Sequence, residues 1–67
     1  MQYYRPYRLK WTEDSKTFGT GYRIIDAAGN DVDFVTAIAG NDAHARKTQH
    51  VAYNIAASKV DAANDPA

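Results

Sequence analysis

The sequence predicts an α+β domain: a three-stranded antiparallel meander with one C-terminal helix packed on one face, βββα. Three observations carry that expectation. Apolar and polar residues alternate with a period of two in short runs, the mark of half-buried strands. A glycine-bearing turn, Asp26-Ala27-Ala28-Gly29-Asn30, joins two of the runs. An Asn41-Asp42 cap then opens an alanine-rich stretch with helical periodicity. Each signal is local and agrees with its neighbours, as in a sequence that specifies one fold.

Met1 to Pro6 reads as a leader, because Pro6 lacks the N–H a ladder needs and so marks a strand's start or edge. Tyr7, Leu9 and Trp11 then point one way and Arg8 and Lys10 the other. The polar stretch Glu13-Asp14-Ser15-Lys16 is expected to form the first loop. The second strand starts at Thr17 or Phe18. Phe18, Thr20, Tyr22 and Ile24 share one face, and Arg23 and Ile25 the opposite one. Gly19 and Gly21 mark a bulge or the close approach of another backbone. As a phosphate cradle the pair is very weak, with no third glycine and no helix following. After the turn, for which Gly29 or Asn30 supplies the positive φ, Val32 and Phe34 fall on one face and Asp33 and Val35 on the other.

Matching these parities gives a core face of Tyr7, Leu9, Trp11, Tyr22, Ile24, Val32 and Phe34. The outer face then carries Arg8, Lys10, Arg23, Ile25, Asp33 and Val35. The helix is expected from Asp42 or Ala43 to about Val60. At 100° per residue, Ala45, Thr48, Val51, Ala52, Ile55, Ala56, Lys59 and Val60 form its inner arc. Arg46, Lys47, His50, Asn54 and Ser58 lie opposite. Trp11, Ile24, Phe34, Ala52 and Ile55 are expected to share one core. Residues 61–67 are polar, contain Pro66 and read as a frayed tail.

Sixty-seven residues make a single small domain with a marginal core. Without cysteine there is no disulfide and no thiolate zinc site. A chain this small gains from good packing or self-association, so a homodimer is one expected assembly. No apolar run approaches the ~20 residues of a membrane helix, so no membrane partner and a cytoplasmic location are expected. Net charge is zero but unevenly spread. Residues 1–25 hold five cations against two carboxylates, and residues 26–67 three against six.

Chemistry-bearing constellations are sparse. His44 and His50 are six apart, about 120° around a helix, whereas a helical zinc pair sits at i, i+4. Solvated surface histidines are the simpler reading. Asp31 and Asp33, with Asp26 across the turn, form no calcium-loop pattern and read as turn chemistry plus a charged edge strand. No cofactor and no catalytic group is expected. Two surfaces remain. The open sheet face offers Ile25 and Val35 ringed by Arg8, Lys10, Arg23 and Asp33, an apolar centre with a polar rim that suits a protein interface. The basic, aromatic start of the chain offers Arg5, Arg8, Lys10 and Arg23 as an alternative nucleic-acid surface, with Tyr3 and Tyr4 for stacking. Alternation draws Tyr7 and Trp11 into the core and makes that alternative the weaker one.

Three segments, Ile24-Ile25-Asp26-Ala27-Ala28-Gly29-Asn30, Gly40-Asn41-Asp42 and Ala52-Tyr53-Asn54-Ile55-Ala56-Ala57, carry a resemblance over residues 22–60. There the chain resembles a class of small proteins encoded by bacteriophages and prophages, a short β-meander followed by one helix. It departs from them in ending the helix Ala57-Ser58-Lys59 where members have alanine–proline, and in a basic middle where members are often acidic. The resemblance implies a non-enzymatic accessory protein that binds and inhibits a host protein. A CRISPR–Cas component, as for anti-CRISPR proteins, is one such target.

Overall fold

The computed structural model describes residues 3–14 and 19–65. Its elements are β1 (Arg8–Asp14), β2 (Gly19–Ile25), β3 (Asp31–Thr36) and α1 (Ala43–Asn64). The strands form one antiparallel sheet in the order β1-β2-β3, and α1 packs on it. The architecture is the predicted βββα meander. β1 runs two residues into the expected first loop, because Glu13 and Asp14 pair with Thr20 and Gly19. Ser15 to Phe18, the rest of that loop and the expected start of β2, lie outside the described residues.

Directly opposite residues in an antiparallel ladder project to the same side. Leu9 opposes Ile24 and Ile24 opposes Asp33, while Trp11 opposes Tyr22 and Tyr22 opposes Val35. These six share the face under α1. Lys59 of the helix reaches Asp33 at 2.8 Å, and Tyr53 meets Tyr22 edge-on at 5.6 Å. Arg8, Lys10, Arg23, Ile25 and Phe34 lie on the uncovered face. β1 and β2 therefore present the predicted faces, but β3 is turned over. Asp33 and Val35 are on the helix side, and Phe34 is on the open side. The cause is a bulge: Ile24 opposes Asp33 but Ile25 opposes Asp31, so Val32 is passed over. A one-residue slip exchanges the two faces of a strand.

The turn before β3 is built around Asp26 and Gly29. The Gly29 N–H donates to the Asp26 carbonyl at 3.1 Å, and the Asp26 N–H to the Asn30 carbonyl at 3.0 Å. Gly29 supplies the positive φ, 89°. In β2, a side chain at Gly21 would put its Cβ 2.1 Å from the Val35 carbonyl oxygen and 3.0 Å from the Phe34 ring. Glycine is needed there so that β3 and the Phe34 ring can close over it.

Asp42 caps α1 by accepting a 2.7 Å hydrogen bond from the Ala45 N–H. Gln49 fixes the loop before it, donating to the carbonyls of Ile38 (2.8 Å) and Gly40 (3.0 Å). The buried stripe of the helix is Ala45, Ala52 and Ala56, and Ile24 is buried on the sheet face below the helix. Alanines let the helix approach closely, but the price is a thin interior: Ile24, Ile25, Ala37 and those three alanines are its buried apolar residues among those described. The five-residue core expected from sequence does not form. Phe34 is on the wrong side of the sheet, Trp11 is half-buried, and Ile55 is 46% exposed. Ile55 sits about 60° from Ala52 and 100° from Ala56 around the axis, which puts it on the helix flank.

The helix also outlasts its expected end at Val60. Residues 61–64 continue it, and Asn64 binds the backbone of Tyr7 at two points. Its Oδ1 accepts from the Tyr7 N–H at 2.7 Å, and its Nδ2 donates to the Tyr7 carbonyl at 3.0 Å. One amide side chain thus acts as a strand partner to the residue that leads into β1.

A candidate interaction groove beside the third strand

The patch expected around Ile25 and Val35 is divided between two sides of the sheet. Arg8, Lys10, Arg23 and Ile25 stand on the open face, while Asp33 and Val35 face the helix. Ile25, the expected apolar centre, is only 6% exposed. Two of the cations are held within the chain. Arg8 Nη1 donates to the Asp26 carbonyl at 3.2 Å. Arg23 Nε donates to Asp31 Oδ1 at 2.8 Å, and its Nη2 reaches the same oxygen. Lys10 is exposed in the same cross-strand row as Arg23 and Phe34. Arg5 is exposed ahead of β1.

Val35 lies instead on the floor of a groove between α1 and β3. The groove measures about 370 Å³ and is lined by Val35, Thr36, His44, Lys47, Thr48, Val51, Ala52 and Ile55. Its position follows from the alanine stripe. With Ala45, Ala52 and Ala56 against the sheet, residues 44, 48, 51 and 55 fall on the flank facing β3. Val51 and Ile55 are 48% and 46% exposed there, too large and too grouped to be filler for so small an interior. Sequence reading found both residues but placed them in the core. The signal that separates the two roles is size: the smallest residues of the arc mark its centre, and the large ones its edge.

One end of the groove is cationic. His44 and Lys47 line it, and the first turn of α1, behind the Asp42 cap, has no acidic residue. Neither side chain has a hydrogen-bond or ion-pair partner among the described residues. At the sheet side, Lys59 and Asp33 neutralise each other at 2.8 Å. The hydrogen bond from Lys59, and a second from the Phe34 N–H, hold the Asp33 carboxyl below the usual carboxylate value against the opposing effect of burial.

Asp26 is the residue whose weight sequence reading missed. It is fully buried and accepts four hydrogen bonds. Oδ1 takes the N–H groups of Ala28 (3.0 Å) and Asn30 (2.8 Å). Oδ2 takes the Tyr4 N–H (3.2 Å) and the Asn30 amide (3.1 Å). Burial alone would raise its pKa, but these donors outweigh it and hold the carboxyl below its ordinary value. Since the Ala27 N–H also donates to the Tyr4 carbonyl at 2.9 Å, Asp26 fastens the chain's first described residues to the β2–β3 turn. Its role is structural.

His50 faces Asn54 across 3.3 Å, away from His44. Among the described residues no three His, Cys, Asp or Glu side chains gather as a metal-binding group. Among them, too, no helix is long and apolar enough to cross a membrane. Compared with known proteins, the chain matches no family model, no curated protein and no solved structure.

Proposed function

We propose that this chain is a non-catalytic protein-binding domain that acts by seating a segment of another protein in the α1–β3 groove. The observation that carries the reading is the pair Val51 and Ile55, held about half-exposed over an apolar floor while the interior itself is built largely from alanine. Apolar side chains grouped beside a groove with a charged lip have the anatomy of an interface centre and rim. The sequence resemblance of residues 22–60 to small phage-encoded accessory proteins supports a host protein as the partner class, met in the host cytoplasm and inhibited by occupation of its surface. A CRISPR–Cas component is one instance of such a partner.

The test compares proteins captured from host lysate by the wild-type chain and by Val51→Glu/Ile55→Glu. Because both positions are half in solvent, the double variant keeps its circular dichroism spectrum. It is expected to lose the specifically captured proteins. Identical capture by both chains overturns the reading. The open sheet face supports a second reading, nucleic-acid binding, through the row Lys10, Arg23 and Phe34. The engagement of Arg8 and Arg23 within the chain weighs against it. A gel shift that weakens steeply with salt and survives the groove substitutions would favour it.

A further inference from the structure

We infer that the groove takes an acidic amphipathic helix from its partner, an inference that rests on the protein-binding reading above and adds the partner's chemistry. Three observations converge on that occupant. The first is charge. Of the eight lining residues none is acidic, and Lys47 and His44 stand at one end without partners among the described residues. The second is the cost of placing them there. A helix N-terminus favours negative side chains and disfavours cations, yet behind the Asp42 cap the first two turns of α1 carry His44, Arg46 and Lys47 and no carboxylate of their own. The single cap carboxylate is already bound to the Ala45 N–H, which leaves His44 and Lys47 on the groove side open to an incoming carboxylate.

The third observation is the state of the neighbouring edge. β3 borders the groove, and a bound strand would need its outer backbone groups. The bulge at Val32 breaks the regular edge, and the Asp33 carboxylate already accepts the Phe34 N–H at 2.7 Å. Both are devices that discourage strand addition. A helix, which brings its own hydrogen bonds and presents apolar residues at i, i+3 and i+4, fits alongside α1 instead. A small ligand is disfavoured because the groove leaves Val51 and Ile55 half in solvent, far from the enclosure such ligands require. A second copy is disfavoured by charge, since α1's own exposed apolar flank carries the same His44 and Lys47.

The experiment titrates the isotopically labelled chain with two synthetic helical peptides of about five turns. Both carry leucine at i, i+3, i+4 and i+7 spacing. One has glutamate and the other lysine at the remaining positions. Backbone amide shifts report the site and the affinity. The glutamate peptide is expected to move the signals of Val35, Lys47, Val51 and Ile55. It should bind roughly tenfold more tightly than the lysine peptide at low salt, with the advantage shrinking as salt rises. Lys47→Glu is expected to erase that advantage. The variant places a favourable charge near the helix start and so raises the thermal midpoint slightly, which separates lost binding from lost fold. Equal binding of both peptides in the groove overturns the acidic preference and leaves the protein-binding reading standing. Groove signals untouched by either peptide overturn both. Groove signals that move with the chain's own concentration assign the site to a second copy and overturn the acidic-helix proposal.

Discussion

Asp26 shows how much one side chain can hold in a domain of this size. Its carboxylate gathers four donors from three residues in two parts of the chain, and no other fully buried polar side chain is present among the described residues. Asp26→Ala removes the acceptor of the part-buried Tyr4, Ala28 and Asn30 N–H groups together, which is more damaging than the loss of an ordinary surface contact. The thermal midpoint is expected to fall by more than about 5 °C. The pH dependence has a definite sign. A carboxyl with a folded pKa below its unfolded value, about 3.9, contributes stability above that unfolded value. It loses the contribution as pH falls through the folded one. Resistance of the wild type to urea should weaken below about pH 4, and Asp26→Ala should show a flatter profile. Asp33 shifts the same way but is well exposed, so its share is small. Equal acid sensitivity in both chains would refute the role given to Asp26. The residue was legible in the sequence as a turn former, since an aspartate three before glycine is ordinary turn chemistry. Its burial was not legible, because that depends on Tyr4 folding back over the turn.

At the scale of elements, existence and order were readable while orientation was not. Alternation located all three strands, and the cap at Asp42 located the helix start. The face of β3 depends on the bulge opposite Ile24 and Ile25, and both of its candidate faces, Val32 with Phe34 and Asp33 with Val35, contain apolar residues. Hydrophobic pattern could not choose between them. Helix phase failed for a related reason: a broad arc containing both alanines and large aliphatics does not reveal that the alanines take its centre. Ile55→Asp, which would unfold a domain with Ile55 in its core, is accordingly expected to cost only about 1 kcal/mol and to remain folded by circular dichroism. Loss of the native spectrum would place Ile55 in the core after all. The helix end is the stronger target. Asn64→Ala removes both hydrogen bonds to the Tyr7 backbone and is expected to cost about 1–2 kcal/mol. Hydrogen exchange at the Tyr7 amide should quicken. An unchanged exchange rate there would contradict the clamp.

As a whole molecule the chain is a slab, with principal extents of 38, 26 and 12 Å. One sheet and one helix give two layers and leave two uncovered sides, the open face of the sheet and the flank of α1 above β3. The open face is largely self-satisfied: Ile25 is buried, Arg23 is paired with Asp31, and the Phe34 ring closes over Gly21. The helix flank is different, because it combines exposed aliphatic side chains with basic ones that have no partner among the described residues. A thin interior means that whatever covers this flank adds noticeably to a small total stability. Mass action makes the size predictable, since a ligand at a hundred times its dissociation constant adds about 2.7 kcal/mol. For a domain of this length that raises the thermal midpoint by about 10 °C or more. Two titrations then distinguish the possible coverings. With the acidic helical peptide the midpoint should climb towards that value, and it should not do so in Val51→Glu/Ile55→Glu. With the chain alone the midpoint should stay level over roughly a hundredfold range of its own concentration, because a monomer unfolds independently of concentration whereas a dimer does not. A midpoint that rises with the chain's own concentration and is levelled by the double substitution would make the flank a dimer interface, and the acidic partner would then have to dock elsewhere.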